Sequence, residues 1–379
     1  MRQVHHVNLQ PGVGGGEVYT RWLTRALVDA GARISLYVDP ANRFWDGLAS
    51  GNVAVEPVSA AGELPARLPK RNALVVTQSP LPPAVLDSLA DAHRLAGFAH
   101  MPMRGRSAAH FRRFARVFTV SRHCVALLRE AGLGNVHDEP MYGTFELERP
   151  GGTEIVARSP YAWDRRKVRD RMLGLAEPLA ARLRARRSFM KRGAPVLGVV
   201  SLISPIKQFP LLFSHLAPLI ARHPGAQLEV FGSGGYAQVR DLRRALAPLG
   251  NRARFWGHQN AVQVIYPQLD YLMTGLPEKE ALGLNALEAQ ACGTPVLAVD
   301  APPFTETILD GGSGYLYRDP REDGGAAFEK LLDEIVAGRP RPDPRRAAAD
   351  HLAQFSYPAL VERARRMLAA LAELRPRSA

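Results

Sequence analysis

Short runs of Val, Ile, Leu and aromatic residues recur along the chain, and each is followed by a longer stretch in which apolar residues return every three or four positions. Runs of that length suit strands buried on both faces, and the longer stretches suit amphipathic helices. The expected strands of the first half are Val4 to Leu9, Ile34 to Val38, Val53 to Val58, Leu74 to Thr77, Leu95 to His100 and Val117 to Val120. Val196 to Leu202 restarts the rhythm, which continues through Leu228 to Phe231, Arg254 to Trp256, Tyr271 to Thr274 and Val296 to Val299, with helices such as Leu211 to Arg222 between them. Alternation of this kind implies parallel sheets covered by helices, in two Rossmann-like domains.

Between residues 146 and 194 the pattern degrades into Gly151-Gly152 and then a basic stretch, Trp163 to Arg192, with eleven Lys or Arg against three acidic residues. That stretch is either a solvated connector or a basic helical surface for acidic lipid or nucleic acid. Tyr357 to Leu374 reads as an amphipathic helix with no strand after it. It cannot complete a strand–helix–strand unit, so it must pack on something already built. The expected division is an N-terminal Rossmann-like domain over 1–150, a basic connector over 151–193, a C-terminal Rossmann-like domain over 194–356, and a terminal helix over 357–379 returning to the first domain.

Composition agrees with two cores, because 379 residues with 46% hydrophobic content exceed what one ordinary domain holds. A net charge of +13 favours an anionic ligand or surface, although part of the arginine content is what solvated helix faces carry. The two cysteines, Cys124 and Cys292, have no metal-like spacing, so neither a disulfide scaffold nor a zinc site is expected and a reducing compartment is. Met1 to Gly12 lacks an apolar signal region, and no run approaches the roughly 20 apolar residues that span a bilayer. A cytoplasmic protein, soluble or peripheral at the inner membrane face, is the expectation.

The most informative segment is Glu280-Ala-Leu-Gly-Leu-Asn-Ala-Leu-Glu288-Ala-Gln-Ala-Cys-Gly-Thr-Pro-Val, with a helix expected to start near Gly283. Eight residues of helix rise about 12 Å, too far for an acid/base pair acting on one bond, where carboxyl groups stand roughly 5 to 9.5 Å apart. Such carboxylates instead bracket a long polar ligand. Free backbone N–H groups at Leu284 and Asn285 would meet a diphosphate at the positive end of the helix. Glu280 would then face a sugar hydroxyl and Glu288 a ribose diol. Two glutamates near a helix are, taken alone, more often solvated side chains.

This segment closely resembles the Glu-x7-Glu signature of retaining GT-B glycosyltransferases, particularly family 4, including the Glu-Ala-x-Ala-Cys-Gly-x-Pro-Val that follows. The resemblance implies two Rossmann-like domains facing a central cleft, with 1–150 as the acceptor domain and 194–356 as the nucleotide-sugar-binding domain, a UDP- or GDP-linked sugar as donor substrate without a separate cofactor, and a glycan or lipid-linked saccharide as acceptor. It gives Glu280 the donor sugar and Glu288 the ribose. Pro11-Gly-Val-Gly-Gly-Gly-Glu17 resembles the family's glycine-rich loop, which places Gly14, Gly15 and Gly16 beside the donor. Gly232, in Phe231-Gly-Ser-Gly234, falls at a comparable turn. His100, in Phe98-Ala-His-Met-Pro102, stands where the family has a histidine reaching the donor hexose, although a lone histidine at a strand end is commonly structural. The tandem His5-His6 is assigned no role.

One departure concerns the run Val200-Ser201-Leu202-Ile-Ser-Pro-Ile-Lys207. The family's clamp on the diphosphate uses an arginine and a lysine; Lys207 fits the lysine, and Ser201 stands in place of the arginine. Serine brings one hydrogen bond and no charge, so leaving-group stabilisation falls to Lys207 and the helix N-terminus, with or without another arginine.

Three other readings compete. A strand, a glycine-rich turn, a helix and Asp39 imitate a dinucleotide-binding fingerprint, but Glu17 occupies the place of the third glycine. A nucleotide-sugar epimerase, or an inactive nucleotide-sugar-binding relative, would share the fold. A nucleic-acid-binding protein fits the charge alone, without any module pattern, so no nucleic-acid partner is expected. No Asp-x-Asp occurs in the chain, so no metal site is expected and metal-independent transfer is.

Overall fold

The computed structural model describes residues 2–103, 107–143, 154–163, 167–175, 177, 181 and 188–377. They form two compact units, Met1–Glu146 with Ala353–Ala379, and Leu147–Leu352.

The first unit holds a six-stranded sheet of β1 (Arg2–Asn8), β2 (Ala32–Val38), β3 (Val53–Pro57), β4 (Leu74–Thr77), β5 (Arg94–Ala99) and β6 (Arg116–Thr119), in the order β3-β2-β1-β4-β5-β6. Every neighbouring pair is parallel. On one face, Val7, Val75, Leu95 and Val117 pack with Leu86 and Leu89 of α2 (Pro83–Ala92) and Val125 and Leu128 of α3 (Arg122–Glu130). Helix α1 (Gly15–Asp29) buries Leu23, Ala26 and Leu27, spaced three and four residues apart as a one-sided helix requires. Each buried leucine contributes roughly 1.5–3 kcal/mol.

The second sheet contains β7 (Val196–Val200), β8 (Gln227–Phe231), β9 (Ala253–Gly257), β10 (Tyr271–Met273), β11 (Val296–Val299) and β12 (Gly314–Tyr317), in the order β12-β11-β10-β7-β8-β9. Its parallel strands pack against α5 (Phe209–Ala221), α6 (Tyr236–Ala245) and α8 (Ala326–Val336), through Phe209, Phe213, Leu242 and Phe328 among others. Strand β12, which the apolar pattern does not single out, is held by pairing with β11 from Val296↔Gly314 to Val299↔Tyr317.

Of the expected connector, residues 151–153, 164–166, 176, 178–180 and 182–187 lie outside the described residues, Gly151-Gly152 among them. Other parts of it belong to the second unit. Ile155 and Ala157 are buried in that core, and Arg158 N–H donates to the Trp256 carbonyl at 2.8 Å. Helix α4 (Val168–Leu175) follows, and α7 (Leu284–Ala291) lies between β10 and β11.

The terminal helix α9 (Tyr357–Glu373) packs on α1. Tyr357 and Trp22 stand 5.5 Å apart between ring centres, the Tyr357 hydroxyl donates to Asp29 at 2.6 Å, and the Arg2 guanidinium donates to the Leu368 carbonyl at 2.8 Å.

Both sheets reverse their winding once, between β1 and β4 and between β7 and β10. In open sheets of this kind, ligands bind outside the carboxyl ends of the strands at the reversal. That rule directs attention to the loops after β1, β4, β7 and β10.

Candidate functional site

In the second unit, the loop after β7 delivers Lys207. The Lys207 N–H closes a turn onto the Ser204 carbonyl at 3.2 Å, and Leu276 N–H donates to the Lys207 carbonyl at 3.2 Å. The next residue, Gln208, is left-handed at φ 52°, a strained choice for a side-chain-bearing residue. A Cβ added at Gly275 would lie 2.2 Å from the Lys207 carbonyl oxygen, so the loop after β10 approaches this backbone only because position 275 is glycine.

The loop after β10 turns through Pro277–Lys279 and delivers Glu280, whose carboxylate is paired with the Lys207 ammonium. Its Oε1 also accepts the N–H groups of Ala281 and Gly283, both at 3.2 Å. Burial would raise the Glu280 carboxyl, but Lys207 and the two N–H donors outweigh it and hold the group below the usual glutamate value. Gly283 precedes α7 at φ 81°, where a side chain would be strained. The Asn285 amide donates to the Val200 carbonyl at 3.2 Å and fastens the helix start to the end of β7. Leu284 and Asn285 hold the first positions of α7, where N–H groups have no partner within the helix.

One turn into α7, Glu288 accepts the Tyr266 hydroxyl at 2.7 Å. Burial raises its carboxyl, with Tyr266 and then Lys207 opposing. The two glutamates are thus shifted in opposite directions: Lys207 and two N–H donors outweigh burial at Glu280, and burial outweighs Tyr266 and Lys207 at Glu288. Ser201 and Gly232 meet at the ends of β7 and β8. Ser201 N–H donates to the Phe231 carbonyl at 3.0 Å, and a Cβ on Gly232, at φ 152°, would sit 1.8 Å from the Ser201 carbonyl oxygen. The Ser201 hydroxyl donates to the Leu202 carbonyl at 3.4 Å.

In the first unit, His100 follows β5 and joins a buried polar chain. His100 Nε2 bonds to the Gln78 Oε1. The Gln78 Nε2 lies 2.8 Å from His6 Nε2, and His6 Nδ1 lies 3.0 Å from the Thr24 hydroxyl. With the amide oriented in this way, His100 carries its proton on Nε2 and His6 on Nδ1, which leaves His100 Nδ1 as an acceptor. Burial lowers His6 to about 3, with His100 adding to the effect, and burial lowers His100 to about 4.

The glycine-rich loop after β1 is tied down by Asn42, whose amide donates to the carbonyls of Gln10 at 2.8 Å and Gly12 at 3.0 Å. Gly14 is extended, and Gly15 and Gly16 open α1. The Glu17 carboxylate accepts Gly14 N–H at 2.8 Å, so this helix start carries the protein's own anion.

The second unit therefore brings Lys207, Glu280, Gly283, Leu284, Asn285 and Glu288 to one helix start, with Ser201 and Gly232 at neighbouring strand ends. His100 and Gly14 to Gly16 lie in the first unit. Sequence reasoning missed Tyr266, Gln78, Thr24 and Asn42. Among the described residues, no group of three or more His, Cys, Asp or Glu could hold a metal ion.

Residues 184–349 match the family described as Glycosyl transferases group 1. The D-inositol 3-phosphate glycosyltransferase of Stackebrandtia nassauensis is 28% identical over 92% of this chain and 85% of its own length. That of Mycolicibacterium smegmatis is 32% identical over 43% of this chain and 37% of its own length. Among solved structures, Anabaena Alr3699/HepE in complex with UDP and glucose superposes with a TM-score of 0.70 at 17% identity, covering 99% of this chain and 100% of that one. Sucrose-phosphate synthase from Thermosynechococcus elongatus gives 0.69 at 17% identity, covering 98% and 99%. The fold is GT-B, with two Rossmann-like domains.

Proposed function

We propose that this chain, which has the GT-B fold and whose residues 184–349 match the group 1 glycosyl transferases, is a glycosyltransferase that moves a hexose from a UDP- or GDP-linked donor to a glycan or lipid-linked acceptor with retention of configuration. The observation that carries the proposal is the pairing of Lys207 with Glu280 just before α7, with Glu288 one turn along that helix. The donor diphosphate takes the free N–H groups of Leu284 and Asn285 and the Lys207 charge. Glu288 accepts from the ribose, and Glu280 faces the sugar as its bond to the diphosphate breaks. Ser201 leaves the diphosphate one cation short of the arginine–lysine clamp.

Retention follows if the departing diphosphate oxygen takes the proton of the acceptor hydroxyl on the same face, which requires no protein nucleophile. The lack of an Asp-x-Asp favours transfer without a divalent ion. The first test is a thermal-shift panel of UDP, GDP, their sugar conjugates and NAD. Stabilisation by one nucleoside diphosphate above the others supports the reading, and preferential stabilisation by NAD overturns it. Product stereochemistry by NMR follows, and an inverted product would remove the retaining mechanism. Inositol 3-phosphate belongs in the acceptor panel, because the curated relatives are named for it and the net charge of +13 suits an anionic acceptor.

A further inference from the structure

Helix α4 is built inside out. Its sequence, Val168 to Leu175, places Asp170 and Gly174 on one side, four residues apart. Asp170 is only 2% exposed, and Gly174 lies against Trp163, 3.9 Å from the ring to an added Cβ. Glu177, three residues further, accepts the Trp163 indole N–H at 3.2 Å. The side turned to the protein is therefore polar and small. On the other side stand Val168, Met172 and Leu175, at spacings of four and three, exposed by 62%, 66% and 80%. Lys167 and Arg171 flank them and are also exposed, and Met190 on the same segment is exposed as well.

A soluble helix normally turns these faces the other way. The helix is nonetheless anchored. Trp163 stacks on Tyr161 at 4.9 Å, Tyr161 stacks on Tyr236 of α6 at 5.8 Å, and Ala162 N–H donates to the Gly234 carbonyl at 2.8 Å. An apolar stripe held outward in a stretch with eleven basic and three acidic residues has the makeup of a helix that lies in a membrane interface.

We propose that α4 docks this unit onto the surface of an acidic lipid bilayer, with Val168, Met172 and Leu175 entering the acyl boundary and Lys167 and Arg171 meeting lipid phosphates. A second copy of the chain fits less well, because it would set the same positive stretch against itself. A protein partner fits less well too, since interface centres are depleted in charge. No described helix is long and apolar enough to cross a membrane, so the contact is with the surface.

Sedimentation of the full chain with phosphatidylcholine vesicles, with and without phosphatidylglycerol, tests this without any assay of catalysis, so it stands or falls apart from the transferase reading. The chain should pellet with the acidic vesicles only, and rising salt should release it. The triple variant Val168→Ser, Met172→Ser, Leu175→Ser should bind about tenfold more weakly or worse, while its stabilisation by UDP stays that of the parent. Leu175→Ser alone, which touches only the exposed side, should move the same way by less. No pelleting of the parent on acidic vesicles, or equal pelleting of parent and triple variant, overturns the proposal. Self-association of the parent without lipid, lost in the triple variant, also overturns it in favour of a second copy.

Discussion

The ion pair of Glu280 with Lys207 is poised for a ligand that competes for the lysine. On the proposed reading, a diphosphate arriving at the start of α7 would draw on the same ammonium and free part of the Glu280 carboxylate to face the sugar. Glu280→Gln keeps the shape and removes the charge, so we expect turnover at saturating donor to fall about ten- to hundredfold. Glu288→Gln should chiefly raise the donor KM, because a ribose contact is made alike before and during reaction. Tyr266→Phe deletes one neutral hydrogen bond to Glu288, so its effect on KM should be smaller, about three- to tenfold. Initial rates at varied donor separate the three; a Tyr266→Phe enzyme with lowered turnover and unchanged KM would contradict this division of roles. Glu280 and Glu288 were legible because they sit in one short motif. Gln78 was not, since it joins histidines 72 and 22 residues away and carries no pattern of its own.

The same buried chain makes stability depend on pH. His6 is neutral in the fold, lowered to about 3 by burial and His100, whereas an unfolded histidine titrates near 6.5. Above that value neither state binds the proton. Below it the unfolded state does and the folded state does not, so stability falls as pH falls from 6.5 towards 3. At pH 5 His6 alone should cost roughly 2 kcal/mol. Denaturant midpoints at pH 7.5 and 5.0 should show the loss, and His6→Gln should shrink the difference between them. An unchanged difference in the variant would mean that His6 is not its source.

At the scale of elements, strand ends in the second sheet are spaced by glycines where any side chain would collide. Gly232→Ala would drive a methyl into the Ser201 carbonyl, so the ends of β7 and β8 must part. We expect the UDP thermal shift to be lost with only a modest fall in the unfolding temperature of the free protein. A normal shift would show that these strand ends do not shape the donor site. Sequence periodicity found strands with continuous apolar runs, since those runs are what burial on two faces demands. It passed over β12, Gly314-Tyr-Leu-Tyr317, which is short, begins with glycine and has no β-branched residue. Its place comes from fit, because a Cβ at Gly314 would lie 2.2 Å from the Val296 carbonyl oxygen. Glu17 was read only as an obstacle to a dinucleotide; its spacing of three from Gly14 is that of a residue capping its own helix.

On the scale of the whole molecule, the first unit is assembled from both ends of the sequence. Arg366 forms two hydrogen bonds to Glu139, at 2.7 and 2.6 Å, Tyr142 and Phe355 pack at 4.8 Å between ring centres, and α9 buries Leu360, Ala364, Met367 and Leu371. Removing 357–379 should therefore destabilise β1 to β6 far more than β7 to β12. Hydrogen exchange followed by mass spectrometry would show protection lost in the first sheet and kept in the second; equal loss in both would contradict it.

This return of the chain reverses the usual order of events on the ribosome, where the domain nearest the N-terminus folds first. The first sheet emerges early, yet the helix that covers α1 leaves the tunnel only after the whole second unit. Arg2 waits for a carbonyl 366 positions downstream. The second unit, continuous in sequence, closes meanwhile. Nascent chains arrested once Leu352 has left the tunnel and Tyr357 has not should then be cut by protease in the first sheet and resist in the second, and chains from which Glu373 has also emerged should resist in both.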